Sequence, residues 1–336
     1  MKLSKLARIY ELGGEDKFYY ILRHTLLNKS FLLSEAEYEG LVEDINSNRD
    51  SSIIQELKEY HILVGDSYDE RKFLDYIKER YNTNRFDLEI IYLIFNSACN
   101  LKCKYCYVEG SIESNFCHQS MDESTFEKTI TCLKRIISES SKKKLTFVFY
   151  GSEPLISKNL VIQSLEEITK ICKEEGVEPE FNITTNGTLF DNNILEALKK
   201  YNVKVAVSLD GPKEVNDQMR IALDNKGTSE TIIPSLKKLN QYKIPFGVSC
   251  TIGPHNIDSL KENISFFKEL GATSVGFNTL LNARAYKIPQ VSLNRLNESL
   301  IEASEIARLQ SIYEDRIQRK YQAFHNSVPR LKDCGG

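Results

Sequence analysis

The amino-acid sequence predicts an α/β protein in which six strand–helix units built on a parallel sheet follow a small α+β module. Two observations carry this. From about residue 89, short β-branched and aromatic runs alternate with longer segments whose apolar residues recur every three or four positions. Such alternation means βαβ units around a parallel sheet. Before that point the alternation is missing, so residues 1–88 read as a unit of their own. Six units are too few to close a standard eight-stranded barrel.

In the N-terminal module, Lys17–Leu22 and the region Phe31–Leu33 read as short strands. Ser34 followed three residues later by Glu37 is a capping-box signature, which opens a helix over Ser34–Ile45. Ile53–Tyr60 and Arg71–Tyr81 read as two further helices. The strands of the second unit are expected at Glu89–Phe95, Leu145–Tyr150, Glu180–Thr185, Val203–Leu209, Phe246–Ile252 and Thr273–Thr279. Between them lie helical patterns such as Phe126/Ile130/Leu133/Ile137, Leu160/Leu165/Ile168/Ile171 and Ile257/Leu260/Ile264/Phe267. After residue 290 a polar helical pattern runs to about Phe324. The expected organisation is therefore 1–88, 89–289 and 290–336.

Length and composition bound the function. A chain of 336 residues has a prior of about two domains, and its apolar share is ample for a sizeable core. The net charge of −3 gives no electrostatic footprint for nucleic acid. No apolar stretch approaches the roughly 20 residues needed to span a bilayer, and the N-terminus lacks the apolar region and cleavage site of a signal peptide. The expectation is a cytoplasmic protein with neither nucleic acid nor membrane as partner. The Lys142–Lys144 run reads as a solvated loop.

The most informative stretch is Cys99-Asn-Leu-Lys-Cys103-Lys-Tyr-Cys106, a C-x3-C-x2-C triplet just after the first expected strand of the second unit. Three thiolates this close can grip a [4Fe–4S] cube, which normally wants four; three leave one iron with an open position. A structural zinc site is the alternative. It would fill four tetrahedral positions and would have to recruit Cys117 or His118. A disulfide framework is a weaker reading, because the eight cysteines are mostly isolated and no signal peptide precedes them. Cys132, Cys172 and Cys250 fall in apolar patterns and read as structural; His255, His118 and His325 have no partner at ligand spacing.

At this triplet, with Tyr105 just before its third cysteine, the sequence resembles the radical S-adenosylmethionine (radical SAM) enzymes. The resemblance implies a partial (β/α)6 barrel, with Cys99, Cys103 and Cys106 holding three irons of a [4Fe–4S] cluster and S-adenosylmethionine chelating the fourth. One electron then cleaves the cofactor to methionine and a 5′-deoxyadenosyl radical that abstracts a substrate hydrogen. The strand ends fit the same pattern. Tyr150-Gly151-Ser152-Glu153-Pro154 matches the family's G-G-E-P loop, with Ser152 in place of the second glycine. Glycine there lets backbone carbonyls approach the cofactor's ammonium, and Ser152 restricts positive φ. Thr184-Thr185-Asn186-Gly187-Thr188 and Ser208-Leu209-Asp210-Gly211-Pro212 place small polar groups, Asn186 and Asp210 among them, where a sugar or carboxylate could be held. Read alone, both are simply turn formers.

The stretch Ser208-Leu-Asp-Gly-Pro-Lys-Glu-Val-Asn-Asp-Gln-Met-Arg220 is similar to the S-L-D-G-P…D-x-x-R segment of the SPASM-type peptide maturases and the anaerobic sulfatase-maturating enzymes. That likeness puts Ser208 and Arg220 on the cofactor's carboxylate, for which an Arg fork is suited. Leu281 is a candidate wall for adenine, or else simply core. Residues 1–88 resemble the winged-helix peptide-recognition elements of peptide maturases; a packing extension of the barrel is the alternative. Cys334-Gly335-Gly336 is similar to the opening of a SPASM or twitch extension, so either the chain is a truncated version of a longer protein or this likeness is fortuitous, and auxiliary [4Fe–4S] clusters would need a longer C-terminus. The implied function is maturation of a ribosomal peptide, Cys-rich and carrying a leader, through a thioether or related cross-link, with flavodoxin or ferredoxin as electron donor. The alternatives are formylglycine formation on a sulfatase and a non-catalytic peptide-binding role.

Overall fold

A computed structural model describes residues 1–13, 18–27, 29–81, 88–106, 119–280 and 291–319. They divide into an N-terminal unit within Met1–Arg85 and a second unit, Phe86–Gln318.

In the N-terminal unit, β1 (Lys2–Leu3) is followed by β2 (Ala7–Gly13), β3 (Phe18–His24) and β4 (Lys29–Ser34), and the last three form an antiparallel sheet in the order β2-β3-β4. Next come α1 (Glu35–Asn46), α2 (Ser52–Glu59), β5 (Leu63–Val64), which pairs antiparallel with β1, and α3 (Glu70–Tyr81). The capping box forms as the sequence predicts. Ser34 Oγ accepts from the Glu37 N–H, and Glu37 Oε2 accepts from the Ser34 N–H at 2.8 Å. Leu22, Leu33, Leu41, Ile54 and Leu57 make the small core. Strand β2 is not predicted by the sequence reading, for a physical reason. Only Ala7 of its seven residues is buried, so it has no apolar alternation to betray it.

The second unit is one seven-stranded sheet with every neighbouring pair parallel, in the order β12-β11-β10-β9-β8-β7-β6. Its elements are β6 (Ile90–Leu93), α4 (Glu123–Ser138), β7 (Lys144–Phe149), α5 (Lys158–Glu175), β8 (Glu178–Thr185), α6 (Asn192–Lys200), β9 (Lys204–Ser208), α7 (Lys213–Met219), α8 (Ser229–Gln241), β10 (Phe246–Ile252), α9 (Leu260–Glu269), β11 (Ser274–Thr279), α10 (Leu293–Leu309) and β12 (Tyr313–Glu314). This is the partial barrel the sequence predicts, with one strand more. Two-residue β12 pairs with Ser274 and Val275 of β11 and is too short to carry a periodic signal.

Alternation along the strands sorts the side chains. Leu145, Phe147 and Phe149 of β7, Phe181 and Ile183 of β8, and Val205 and Val207 of β9 are buried in the core that the helices cover. The residues between them are half-buried and smaller or polar, among them Thr146, Asn182, Thr184 and Ser208. Edge strand β6 differs, because Ile90, Tyr92 and the following Ile94 are more than half exposed. Lys144 is not in a solvated loop. It opens β7, and its Nζ lies 3.0 Å from Glu180 of β8, which Lys204 of β9 approaches to 2.9 Å. Among the described residues no helix is long and apolar enough to cross a membrane.

Candidate functional site

The triplet lies in the loop after β6, and that loop is stitched to three others. Its own backbone pairs with the segment that follows α7: the Lys102 N–H donates to the Ile221 carbonyl and the Lys104 N–H to the Met219 carbonyl, both at 2.9 Å. This pairing sets Arg220 beside Cys103. The turn after β7 is held against the start of the loop by the Glu153 N–H, which donates to the Ala98 carbonyl at 3.1 Å, and by Asn96 Nδ2, which donates to the Glu153 carbonyl at 3.2 Å. The third contact comes from the loop after β8, where Asn186 Nδ2 points at Cys99 Sγ, 3.8 Å away.

Ser152 fits the glycine-rich turn. Positive φ falls on Gly151, at +124°, where a Cβ would lie 3.0 Å from Ile94 Cγ2 and 3.3 Å from the Asn96 carbonyl oxygen. Ser152 is not among the positive-φ residues, and its hydroxyl donates to the Ser97 carbonyl at 3.0 Å. The conformational freedom of glycine is therefore needed at the first position only.

Glu153 is buried, and its carboxylate is turned into the protein. It accepts from Thr185 Oγ1 at 2.7 Å, from the Asn186 N–H at 2.7 Å and from the Leu155 N–H at 3.0 Å. Burial still pushes its pKa up. Its work is to tie the loop after β8 to the turn after β7. Asp210 is likewise fully buried and accepts from Tyr105 Oη at 2.5 Å and the Thr251 N–H at 3.0 Å, with His255 Nε2 at 3.3 Å. Tyr105 Oη accepts in turn from Arg220 Nη1 at 2.8 Å. The geometry thus makes Asp210 and Tyr105 a buried relay that aims Arg220.

Electrostatics follow burial. Burial pushes the Cys99 thiol up to about 11 and raises Cys103 as well, with the Arg220 charge opposing the shift at Cys103. Burial also raises Tyr105, while Arg220 keeps its charge against burial because Tyr105, Cys103 and Asp210 surround it. Metal binding there would require each thiol to give up its proton.

The donor set fits a [4Fe–4S] cluster with S-adenosylmethionine. Cys99 feels Cys103, and Cys103 feels Cys106, so the three thiols share one neighbourhood. Among the described residues no three His, Cys, Asp or Glu side chains converge on a point, as a single ion would need; a cube takes each thiolate on a different iron. Arg220 Nε is buried with no partner among the described residues, and such a donor is costly until an acceptor, ideally a carboxylate, meets it. Ser208 is half-buried at the end of β9, where it pairs with Ser249 of β10.

Leu281, Cys117, His118, His325 and Cys334 lie outside the described residues. The sequence reading missed Asn100, Thr185, Thr188 and His255 as members of the site. Asn100 and the two threonines sit inside the quoted motifs, but what they bond to is set by loops some 30 to 90 residues away in sequence. Nothing local in the sequence marks His255, because its partner, Asp210, is 45 residues back.

The family model of the radical SAM superfamily matches residues 93–267. The chain is 26% identical over 285 residues to radical SAM cyclopropyl synthase TigE of Paramaledivibacter caminithermalis, covering 81% of this chain and 58% of that protein. It is 28% identical over 174 residues to a cysteine-type anaerobic sulfatase-maturating enzyme of Clostridium novyi, covering 52% of this chain and 46% of that one. The chain thus spans about half the length of these curated relatives. Streptococcus suis SuiB, solved bound to precursor peptide SuiA, has the same fold, with a TM-score of 0.52 and 16% identity over 93% of this chain and 75% of that one.

Proposed function

Because the chain belongs to the radical SAM superfamily, whose members use a [4Fe–4S] cluster and S-adenosylmethionine, we propose that it is an enzyme that abstracts hydrogen from a peptide during maturation of that peptide. The product is a thioether or related cross-link in a ribosomally made precursor. When bound, the cluster and S-adenosylmethionine together supply the 5′-deoxyadenosyl radical. The residues of this chain bind and orient. Cys99, Cys103 and Cys106 hold the cluster, Arg220 with Ser208 takes the cofactor carboxylate, and the turn at Gly151 and Ser152 brings backbone close to the ammonium. Tyr105 and Asp210 fix the guanidinium, and Glu153 fixes the loop that carries Asn186. The exposed apolar strip Ile90, Tyr92 and Ile94 suits an apolar side chain of the substrate.

The observation that carries the peptide reading is coverage. SuiB, solved bound to precursor peptide SuiA, shares its fold over 93% of the chain, and the match to TigE takes in 81% of it, so both reach into the N-terminal unit, whereas the match to the sulfatase-maturating enzyme covers 52%. The N-terminal unit then holds the leader of the precursor, and flavodoxin or ferredoxin supplies the electron. The experiment is co-expression with short Cys-containing open reading frames encoded beside this one, read by peptide mass spectrometry. A loss of two hydrogens in one precursor, absent with a Cys103→Ala chain, supports the reading. A formylglycine mass change on a sulfatase peptide, with every precursor unchanged, would replace it by the sulfatase reading.

A further inference from the structure

Asn186 sits in a closed ring of hydrogen bonds. Its Nδ2 donates to Asn100 Oδ1 at 2.8 Å, Asn100 Nδ2 donates to Thr188 Oγ1 at 2.8 Å, and Thr188 Oγ1 donates back to Asn186 Oδ1 at 2.7 Å. Asn186 Oδ1 also accepts from the Thr188 N–H at 3.0 Å. That backbone group can only donate, so the oxygen must face it and the NH2 must face the other way. The second N–H of the amide is thereby aimed at Cys99 Sγ, 3.8 Å away. Cys99 Sγ accepts as well from the Leu101 N–H at 3.4 Å. The backbone of Asn186 is pinned independently, its N–H donating to Glu153 Oε2.

Both hydrogens and both lone-pair positions of this amide are thus used within the protein, and the residue as a whole is 5% exposed. No capacity is left for a ribose or a carboxylate. From this geometry we infer that Asn186 does not bind the nucleoside cofactor but is a positioning residue for the cluster: its amide N–H, oriented by Asn100 and Thr188, donates to the Cys99 thiolate and raises the reduction potential. Reduction adds one negative charge to the cluster and its sulfurs. A donor to sulfur stabilises the reduced form more than the oxidised one, and hydrogen bonds to sulfur are among the groups that set such potentials.

The inference rests on Cys99, Cys103 and Cys106 holding the cluster, and the test separates the two. The full chain is reconstituted without oxygen, iron and sulfide are counted, and the potential is found by dithionite titration followed by electron paramagnetic resonance. Asn186→Ala with full iron content is expected to lower the equilibrium constant for one-electron reduction roughly tenfold, the order of one hydrogen bond, which is ~59 mV for one electron. A second measurement needs no substitution. In the natural chain, asparagine labelled with 15N at the side-chain amide is expected to show a coupled nitrogen in pulsed spectra of the reduced cluster. An unchanged potential in an iron-replete variant, or no coupled side-chain nitrogen in the natural chain, overturns the inference while leaving the cysteine assignment intact. If Asn186→Ala takes up no cluster, the labelled natural chain decides alone. A natural chain that takes up no cluster overturns both.

Discussion

Asp217, the acidic residue of the D-x-x-R motif, sits off the site and holds it in place. Its Oδ1 accepts from the Thr228 N–H and the Ser229 N–H, both at 2.9 Å, from Ser229 Oγ at 2.7 Å and from Asn216 Nδ2 at 3.0 Å, while Lys213 Nζ lies 3.1 Å from Oδ2. The carboxylate therefore ties the end of α7, which leads to Arg220, to the start of α8. Burial alone would raise its pKa, but the bonds from Ser229, Asn216 and Lys213 outweigh burial and hold it at about 2, against 3.8 unperturbed. The side chain is 17% exposed, so solvent screening is modest. Converting the shift at ~1.4 kcal/mol per pKa unit gives about 2 kcal/mol of stability from the ionised form. The folded pKa is the lower one, so this stability is fully present above pH ~4 and is lost as pH falls through about 2. Asp217→Asn is expected to cost ~2 kcal/mol at pH 7, or roughly 4–8 °C of melting temperature for a unit of this size. The assay is thermal unfolding of the iron-free chain, variant beside natural protein, at pH 7 and again near pH 2.5. The gap should shrink at the acid end, where most of the stability from the ionised carboxylate has been lost. Equal melting temperatures at pH 7, or a gap that ignores pH, would mean that the ionised Asp217 does not hold α7 to α8.

Three further predictions come from the same geometry. At Gly227 a Cβ would lie 2.1 Å from Asp217 Cγ, so Gly227→Ala must displace the carboxylate. Its loss in melting temperature should overlap that of Asp217→Asn, with the double variant much less than additive. Tyr105→Phe removes the hydroxyl between Arg220 and Asp210. Leaving these buried charged groups short of a partner should cost about 1–3 kcal/mol, and calorimetry on the cluster-loaded chain should show weaker S-adenosylmethionine binding at unchanged iron content. In the N-terminal unit, His24 is fully buried, and burial, with the nearby His61, lowers its pKa from 6.5 to about 4. Folding therefore favours the neutral ring. The stability is complete above pH 6.5 and falls by up to ~3 kcal/mol as pH drops to about 4, which hydrogen exchange in β3 at a series of pH values will read.

Much of this architecture was legible in the sequence, because the buried faces of the second unit carry strong periods. Phe246–Ile252 is a strand with the predicted bounds, and the other five strands differ from expectation by a few terminal residues. The capping box at Ser34 needed three residues of context and was equally plain. Local signals failed where structure depends on distant partners. Strand β2 has one buried residue and is held by its register with β3, and β12 exists only because β11 offers it an edge. At the site, the Cys triplet and the strand-end motifs stood out as residue types at set spacings. Which way their side chains turn did not. Glu153 and Asp210 carry the same letters whether they face a ligand or the core, and only the loops they accept from decide it. Ser152 shows the converse: the departure from glycine is harmless because Gly151 alone takes the positive φ.

In the function proposed above, Cys99, Cys103 and Cys106 hold a [4Fe–4S] cluster that acts on S-adenosylmethionine. The direct measurement is 5′-deoxyadenosine formed by the anaerobically reconstituted chain with dithionite and S-adenosylmethionine, beside Cys99→Ala, Cys103→Ala and Cys106→Ala, with iron counted in each. The natural chain is expected to form 5′-deoxyadenosine, and each of the three variants, having lost cluster iron, is expected to form none. A natural chain with a full cluster that forms no 5′-deoxyadenosine, or a variant that keeps both iron and product, would contradict it.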